Sequence, residues 1–298
     1  MTVMNPLELF TDYTYSQALW GTVIIGICAG ALGPLVLVQR QALIADAIAH
    51  SSLPGLLGVF LSCSWLGFDG RNLLLLIAGS IVTGLTAVAI ISSLTQRTII
   101  HRDAAMAATL TTFFSLGMLL LQYISRNPLP GKAGIQDYLL GNASTLTRAD
   151  VKSALVIGGG VLLILSLVHL KQSAVVFDAP FAQIAGIKLN IVRSLGFIGL
   201  VAITVIGVKV VGVVLMVAVV IAPAVAARQW TNRLIPFIAC SGAIGGLSAV
   251  LGTYFSIAAG ETAVGSIPTG PAIVLVQGLI AAASLTAKKV RSTHVFSS

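Results

Sequence analysis

Asp46 and His50 lie four residues apart in "ALIADAIAHSSL" (residues 42–53), one of the most apolar stretches of a 298-residue chain. On a helix, positions i and i+4 lie on one face, with Cβ atoms roughly 6 Å apart. A carboxylate and an imidazole so placed can share one divalent cation. They can equally bond to each other and so hide two polar groups from lipid. Spacing alone leaves both readings open. Two features favour the cation. Asp46 is the only acid expected well inside an apolar run, and ionisable groups within a membrane usually face a pathway. Its neighbours Ala42, Ala45, Ala47 and Ala49 are small, leaving room for a passing ligand. Two ligands leave most coordination positions open, which suits transit rather than permanent binding. Glu261, in "SIAAGETAVGSIPTGP", is the other acid that could line such a route, at an entrance; a solvated loop carboxylate is its plainer reading. His101 and His169 fall at the ends of apolar runs, where interfacial roles are expected, and His294 lies in the tail.

The elements that must carry these residues follow from composition. The chain is 57% hydrophobic and 9% charged, with a mean hydropathy of +1.01. A soluble domain carries about a quarter charged residues, so the chain is read as all-α and polytopic in a membrane. Each helical span needs roughly 20 apolar residues, and backbone groups in lipid must be satisfied within the span. Long unbroken apolar runs argue against a β-barrel, whose strands alternate. About nine spans are expected, eight being possible: roughly 17–38, 41–62, 72–95, 104–124, 151–170, 191–208, 210–227, 235–256 and 268–287. The sixth and seventh form one run too long for one span and short for two. Lys209 is expected to mark a tight turn between them at a surface, with its stem snorkelling. The whole of 1–298 reads as a single transmembrane domain.

The net charge of +8 does not imply nucleic acid. The basic residues fall between apolar runs, as topology requires, and no run is long enough to track phosphates. Arg97 and Arg102, then Lys171, Lys188 and Arg193, then Arg228 and Arg233, and finally the basic tail fall on one side, assigned to the cytoplasm. The N-terminus, with Glu8 and Asp12, then lies outside; it lacks a basic n-region and is not expected to be a cleaved signal. Cys28, Cys63 and Cys240 form no CxxC pair, so neither a disulfide framework nor a thiolate metal site is suggested. "GICAG" (26–30) and "GAIGG" (242–246) are small-xxx-small patterns for close helix contact. Pro54, Pro223, Pro268 and Pro271 predict kinked or broken helices. "PGKAG" (130–134) lacks the residues of a phosphate-binding loop, and no HExxH or serine–lysine constellation suggests an enzyme. No permanently bound cofactor is expected.

Residues 172–190, "QSAVVFDAPFAQIAGIKLN", are too polar to span but carry an apolar edge of Phe177, Phe181, Ile184 and Ile187. Asp178 can cap a short helix with Pro180 in its first turn, and Gly186 can close it. Such a helix either lies flat on the membrane surface or docks a soluble partner.

Four blocks, in order, resemble the permease subunits of bacterial zinc/manganese/iron-chelate ABC importers. "VLVQRQALIADAIAHSSLPGLLGVFL" resembles that family's D-A-x-x-H and L-P-G segment. "FDAPFAQIAGI" resembles its cytoplasmic F-D-x-x-x-A-x-x-x-G stretch. "VVGVVLMVAVVIAPAVAARQW" and "IPTGPAIVL" resemble its later blocks. The resemblance covers nearly the whole chain. It implies a multi-pass permease of the bacterial cytoplasmic membrane that moves zinc, manganese or iron. It implies three partners: a cytoplasmic ABC ATPase that hydrolyses the ATP, an extracytoplasmic metal-binding protein and a second permease subunit. It places Asp46 and His50 on the metal route. It also makes Phe177, Asp178, Pro180, Phe181, Ala182, Ala185 and Gly186 part of a coupling segment at about 172–190. Where many relatives carry an aspartate before P-T-G, Ile267 stands here. Three rival readings remain: a siderophore- or cobalamin-type ABC permease with a wide pathway, a secondary metal transporter coupled to protons, and, as a minor option, a membrane scaffold subunit with no pathway.

Overall fold

The computed structural model describes residues 12–68, 72–130, 132, 141, 143–231, 233–260 and 267–295. They form ten α-helices and one short 3₁₀ turn, and no strand occurs among them. The helices are α1 (Tyr13–Val38), α2 (Ile44–Trp65), α3 (Leu73–Arg97), α4 (Arg102–Arg126), α5 (Arg148–Phe177), α6 (Ala179–Ile184), α7 (Leu189–Val211), α8 (Val213–Ala227), α9 (Leu234–Gly260) and α10 (Thr269–Val295). Eight are long and apolar enough to cross a membrane; α8, with 15 residues, is shorter.

Side chains start three of the long helices, Asn72 Oδ1 accepting from the Leu74 amide ahead of α3. Asp12 Oδ1 accepts from the amides of Thr14 (2.8 Å) and Tyr15 (3.3 Å) ahead of α1. At α5, Thr147 and Asp150 form a reciprocal capping box, which satisfies two amides that helix geometry leaves without partners. The first helix–helix connections are short, so consecutive helices run antiparallel. One end of the bundle therefore gathers the α3–α4 turn, α6 and the α8–α9 turn, with Arg97, Arg102, Lys188, Arg193, Arg228 and Arg233; it is called the basic end below.

The run expected to hold two spans does reverse, at Gly212, whose φ of +95° is open to glycine and costly for other residues. A Cβ on Gly207 would meet the Met216 side chain, so the chain folds back rather than continuing. α8 then follows α1 toward the basic end: Gly33 faces Val220 and Ala224, and Leu37 and Val38 pack with Ala224, Ala227 and Phe237. At about 22 Å (1.5 Å per residue) it is shorter than the eight membrane-length helices, and it packs chiefly against α1, α9 and α10. Lys209 departs from expectation. It precedes the reversal as predicted, but its side chain is 19% exposed and paired with Asp150 rather than snorkelling.

Lipid supplies no hydrophobic drive between helices, so contact depends on close approach. The two small-residue patterns meet each other. A Cβ on Gly26 would lie 2.6 Å from the Gly245 carbonyl oxygen, and one on Gly30 equally near that of Ser241. Ser241 Oγ donates to the Gly30 carbonyl at 2.6 Å across the same seam. Pro34, Pro54 and Pro223 lie inside helices, whereas Pro268 precedes α10.

Candidate functional site

α2 begins at Ile44, three residues later than the sequence suggested. The chain turns sharply after α1, with Arg40 at φ +54°, and the Ile44 amide donates to the Gln41 carbonyl. Asp46 is therefore in the first turn of α2, not well inside a span. A carboxylate there is favoured by the free amides and the positive end of the helix dipole. His50 follows one turn later, with Nε2 3.4 Å from Asp46 Oδ1. That gap is long for a hydrogen bond. It suits two ligands of one ion: with both bonds at about 2.1 Å, atoms 3.4 Å apart subtend about 108° at the metal, near the tetrahedral angle.

The imidazole is held but not satisfied. The Phe114 ring of α4 meets it edge-on at 4.8 Å. Nδ1 is buried and has no hydrogen-bond partner among the described residues. The Asp46 and His50 side chains keep 27% and 15% of their surface accessible in the single chain. The small neighbours do not form the expected passage: Ala45, Ala47 and Ala49 are fully buried in the core, and Ala42 lies ahead of the helix. Among the described residues no group of three or more His, Cys, Asp or Glu side chains could hold a metal. Glu261 lies outside the described residues. His101 is exposed at the start of α4 and His169 lies within α5.

The segment after α5 forms the short helix the sequence suggests. Asp178 Oδ1 accepts from the Phe181 amide at 2.9 Å, Pro180 occupies the first turn, and Gly186 leaves it at φ +77°. The Ala185 amide donates to the Phe181 carbonyl. Ala182 is fully buried against Val175 and Val192 and anchors α6 to the ends of α5 and α7. Phe177, Phe181 and Ile184 point away, and Ile184 is 87% exposed. The result is a small knob at the basic end, with an apolar outer face.

A second buried pair escaped sequence analysis. Lys209 Nζ donates to Asp150 Oδ1 at 2.5 Å, while Asp150 Oδ2 accepts from the Thr147 amide and hydroxyl. The pair ties the start of α5 to the end of α7. The Thr-x-x-Asp spacing at 147–150 is a capping-box signal that could have revealed the acid, though not its lysine partner. Phe114 had no comparable signal.

Comparison with known proteins agrees over nearly the whole length. The model of the ABC 3 transport family matches residues 11–288. The chain is 35% identical over 281 residues to the zinc transport system membrane protein TroC of Treponema pallidum, covering 94% of this chain and 90% of that protein. It is 36% identical over 259 residues to the manganese transport system membrane protein MntC of Bacillus subtilis, covering 86% of this chain but only 56% of that longer protein. Among solved structures, PsaBC from Streptococcus pneumoniae, in complex with Fab, superposes with a TM-score of 0.78 at 28% identity, covering 93% of this chain and 92% of that one. With its arrangement of membrane-length helices, this chain belongs to the ABC 3 transport family.

Proposed function

We propose that this chain is the permease subunit of an ATP-driven importer of a divalent transition metal. Zinc and manganese are the cargoes that the relatives' names supply; carboxylate and imidazole also bind iron. The chain is read as one transmembrane unit in a bacterial cytoplasmic membrane. Its basic end is read as cytoplasmic, since basic residues gather on that side, with the N-terminus outside and the C-terminus inside. ATP hydrolysis is assigned to a separate cytoplasmic ATPase, delivery of the ion to an extracytoplasmic binding protein, and closure of the pathway to a second permease subunit.

The observation that carries the metal reading is the Asp46–His50 pair, with its 3.4 Å gap between Nε2 and Oδ1 and both side chains partly accessible. Two ligands hold an ion briefly, as a pathway requires. A partner permease would cover the accessible side of the pair and supply the remaining coordination with its own groups or with water. Coupling is assigned to the segment at 172–190. Phe177, Phe181 and Ile184 form the apolar surface that an ATPase groove would grip, while Asp178, Pro180, Ala182, Ala185 and Gly186 set its shape. Because Ala182 packs between α5 and α7, a push on α6 is passed to both helices.

The test is uptake of bare zinc and of bare manganese by liposomes holding the chain with its ATPase and binding protein. Asp46→Ala and His50→Ala variants should assemble and hydrolyse ATP yet move no metal. Normal uptake by both variants would remove the site. Uptake of a chelate alone, or uptake by this chain without an ATPase, would refute the proposed class.

A further inference from the structure

A cavity of about 750 Å³ opens at the basic end between the last three turns of α3, the start of α4, the base of α6 and the start of α7. Its charged lining consists of Arg97, Arg102 and Arg193; no carboxylate lines it. Among the described residues none of the three guanidiniums forms an ion pair. Further donors surround them, including the amides of Gln41 and Asn190. A site with three guanidiniums and no carboxylate complements an anion, and guanidinium suits phosphate above all. A cation would be repelled from it.

The cavity has a second half. From Arg97 it extends along α3 through Ile91 and Val88 to Leu85, with Phe197 and Ile198 of α7 opposite. Twelve residues of helix rise about 18 Å, somewhat more than half of a hydrocarbon core about 30 Å thick. A free phosphate compound would use the arginine end and leave this apolar wall bare. A phospholipid would use both, with its phosphate at the arginines and a chain along α3.

We propose that this cavity binds a phospholipid with an anionic headgroup, whose phosphate is held by Arg97, Arg102 and Arg193. Basic pockets between helices at a cytoplasmic surface suit such lipids. The placement at the cytoplasmic leaflet rests on the topology given under the proposed function; the binding chemistry does not. Because Val175, Val176 and Ala179 also line the cavity, a bound lipid would brace α6 against α3.

The experiment measures lipids retained by the chain with its ATPase, taken from symmetric vesicles of phosphatidylcholine and phosphatidylglycerol into native mass spectrometry. Phosphatidylglycerol should be retained in preference to phosphatidylcholine and should resist displacement by inorganic phosphate. A variant with Arg97→Gln, Arg102→Gln and Arg193→Gln should weaken retention by roughly fivefold per arginine, about a hundredfold in all. The corresponding three Arg→Lys changes should restore most of it, which separates lost charge from misfolding. A control with Lys171→Gln, Arg233→Gln and Lys288→Gln removes equal charge outside the cavity lining and should change little. Equal retention of the two lipids, or undiminished retention by the Arg→Gln variant, overturns the proposal. Displacement by inorganic phosphate assigns the site to a soluble anion and overturns the lipid. Loss of the ATPase from the Arg→Gln variant with unchanged lipid retention assigns the arginines to a protein contact, again overturning it. Since retention needs no transport, a complex that keeps phosphatidylglycerol but moves no metal would refute the importer and leave this site standing.

Discussion

Asp150–Lys209 and Asp46–His50 are both acid–base pairs set among apolar helices, and their partners are arranged differently. Asp150 uses both carboxylate oxygens: Oδ1 accepts from Lys209, and Oδ2 from the Thr147 amide and hydroxyl. Its side chain is 6% exposed. Asp46 and His50 face each other across 3.4 Å, with more of the carboxylate accessible and one imidazole nitrogen bare. A buried charge is tolerated when it is paired and hydrogen-bonded. The first pair meets that condition within the chain. The second does not meet it among the described residues. One pair therefore holds helices together, while the other is the pair proposed to bind the ion.

The sharpest break in this comparison comes from deleting the acid on each side. Asp46→Ala should lower metal uptake by at least about a hundredfold, since even the outer partners of metal ligands are worth ten- to a hundredfold. The thermal midpoint of the purified complex should stay level, because little bonding is lost. Uptake and thermal midpoint measured on the same preparation check both halves. A large fall in midpoint would make Asp46 a structural residue.

Asp150→Ala should show the reverse. Removing the acid of a buried pair breaks the Lys209–Asp150 ion pair, at a cost of about 3 kcal/mol. The midpoint and the yield of folded protein should fall, while uptake per assembled complex holds. Combining Asp150→Leu with Lys209→Met should recover most of the loss, since an apolar pair of similar size replaces a buried ion pair at little cost. A double variant no more stable than Asp150→Ala would show that the pair does more than close a gap.

Sequence analysis reached these two pairs unequally, for physical reasons. Run length and hydropathy mark out helices such as α1 and α3, and the glycines at 26, 30, 242 and 245 announce a close seam. The Asp46–His50 spacing is local, so it could be read directly. What faces that pair is not local. Phe114 is brought to His50 by packing between α2 and α4, and hydropathy does not say which side of a helix an alanine takes. Asp150 fell one residue outside the expected span at 151–170, because hydropathy locates apolar runs and not caps. Lys209 was expected at a surface since its partner lies 59 positions away. Gly212 gave no sign of its own: one glycine among 30 reveals a reversal only once its φ is known.

A milder probe of the structural pair removes its cap. Thr147→Ala deletes the hydroxyl that donates to Asp150 Oδ2 and accepts the Asp150 amide, while the Thr147 amide and Lys209 remain. The loss should be about 1 kcal/mol, the usual worth of an N-cap. It should be smaller in the Asp150→Ala background, where the hydroxyl has lost one of its two bonds. A double-mutant cycle on thermal stability reads that coupling; strict additivity would mean that the capping box and the ion pair act separately.

The smallest effect expected lies at the binding pair. Phe114 touches the His50 ring edge-on at 4.8 Å, a contact worth about 1 kcal/mol beyond its area. Phe114→Leu keeps an apolar side chain there but removes the flat face that fixes the ring. With the imidazole freer to turn, fewer chains hold Nε2 toward Asp46 at any moment. Apparent affinity for the metal should fall by the populated fraction, roughly fivefold for a preference of that size. The maximal rate should change less, since the ligands are intact once the ion is bound. Uptake measured against free metal concentration separates the two. A lower maximal rate with unchanged affinity would place Phe114 in the motion of α4 past α2 rather than in the orientation of His50, and the ring contact would then belong with the structural pair.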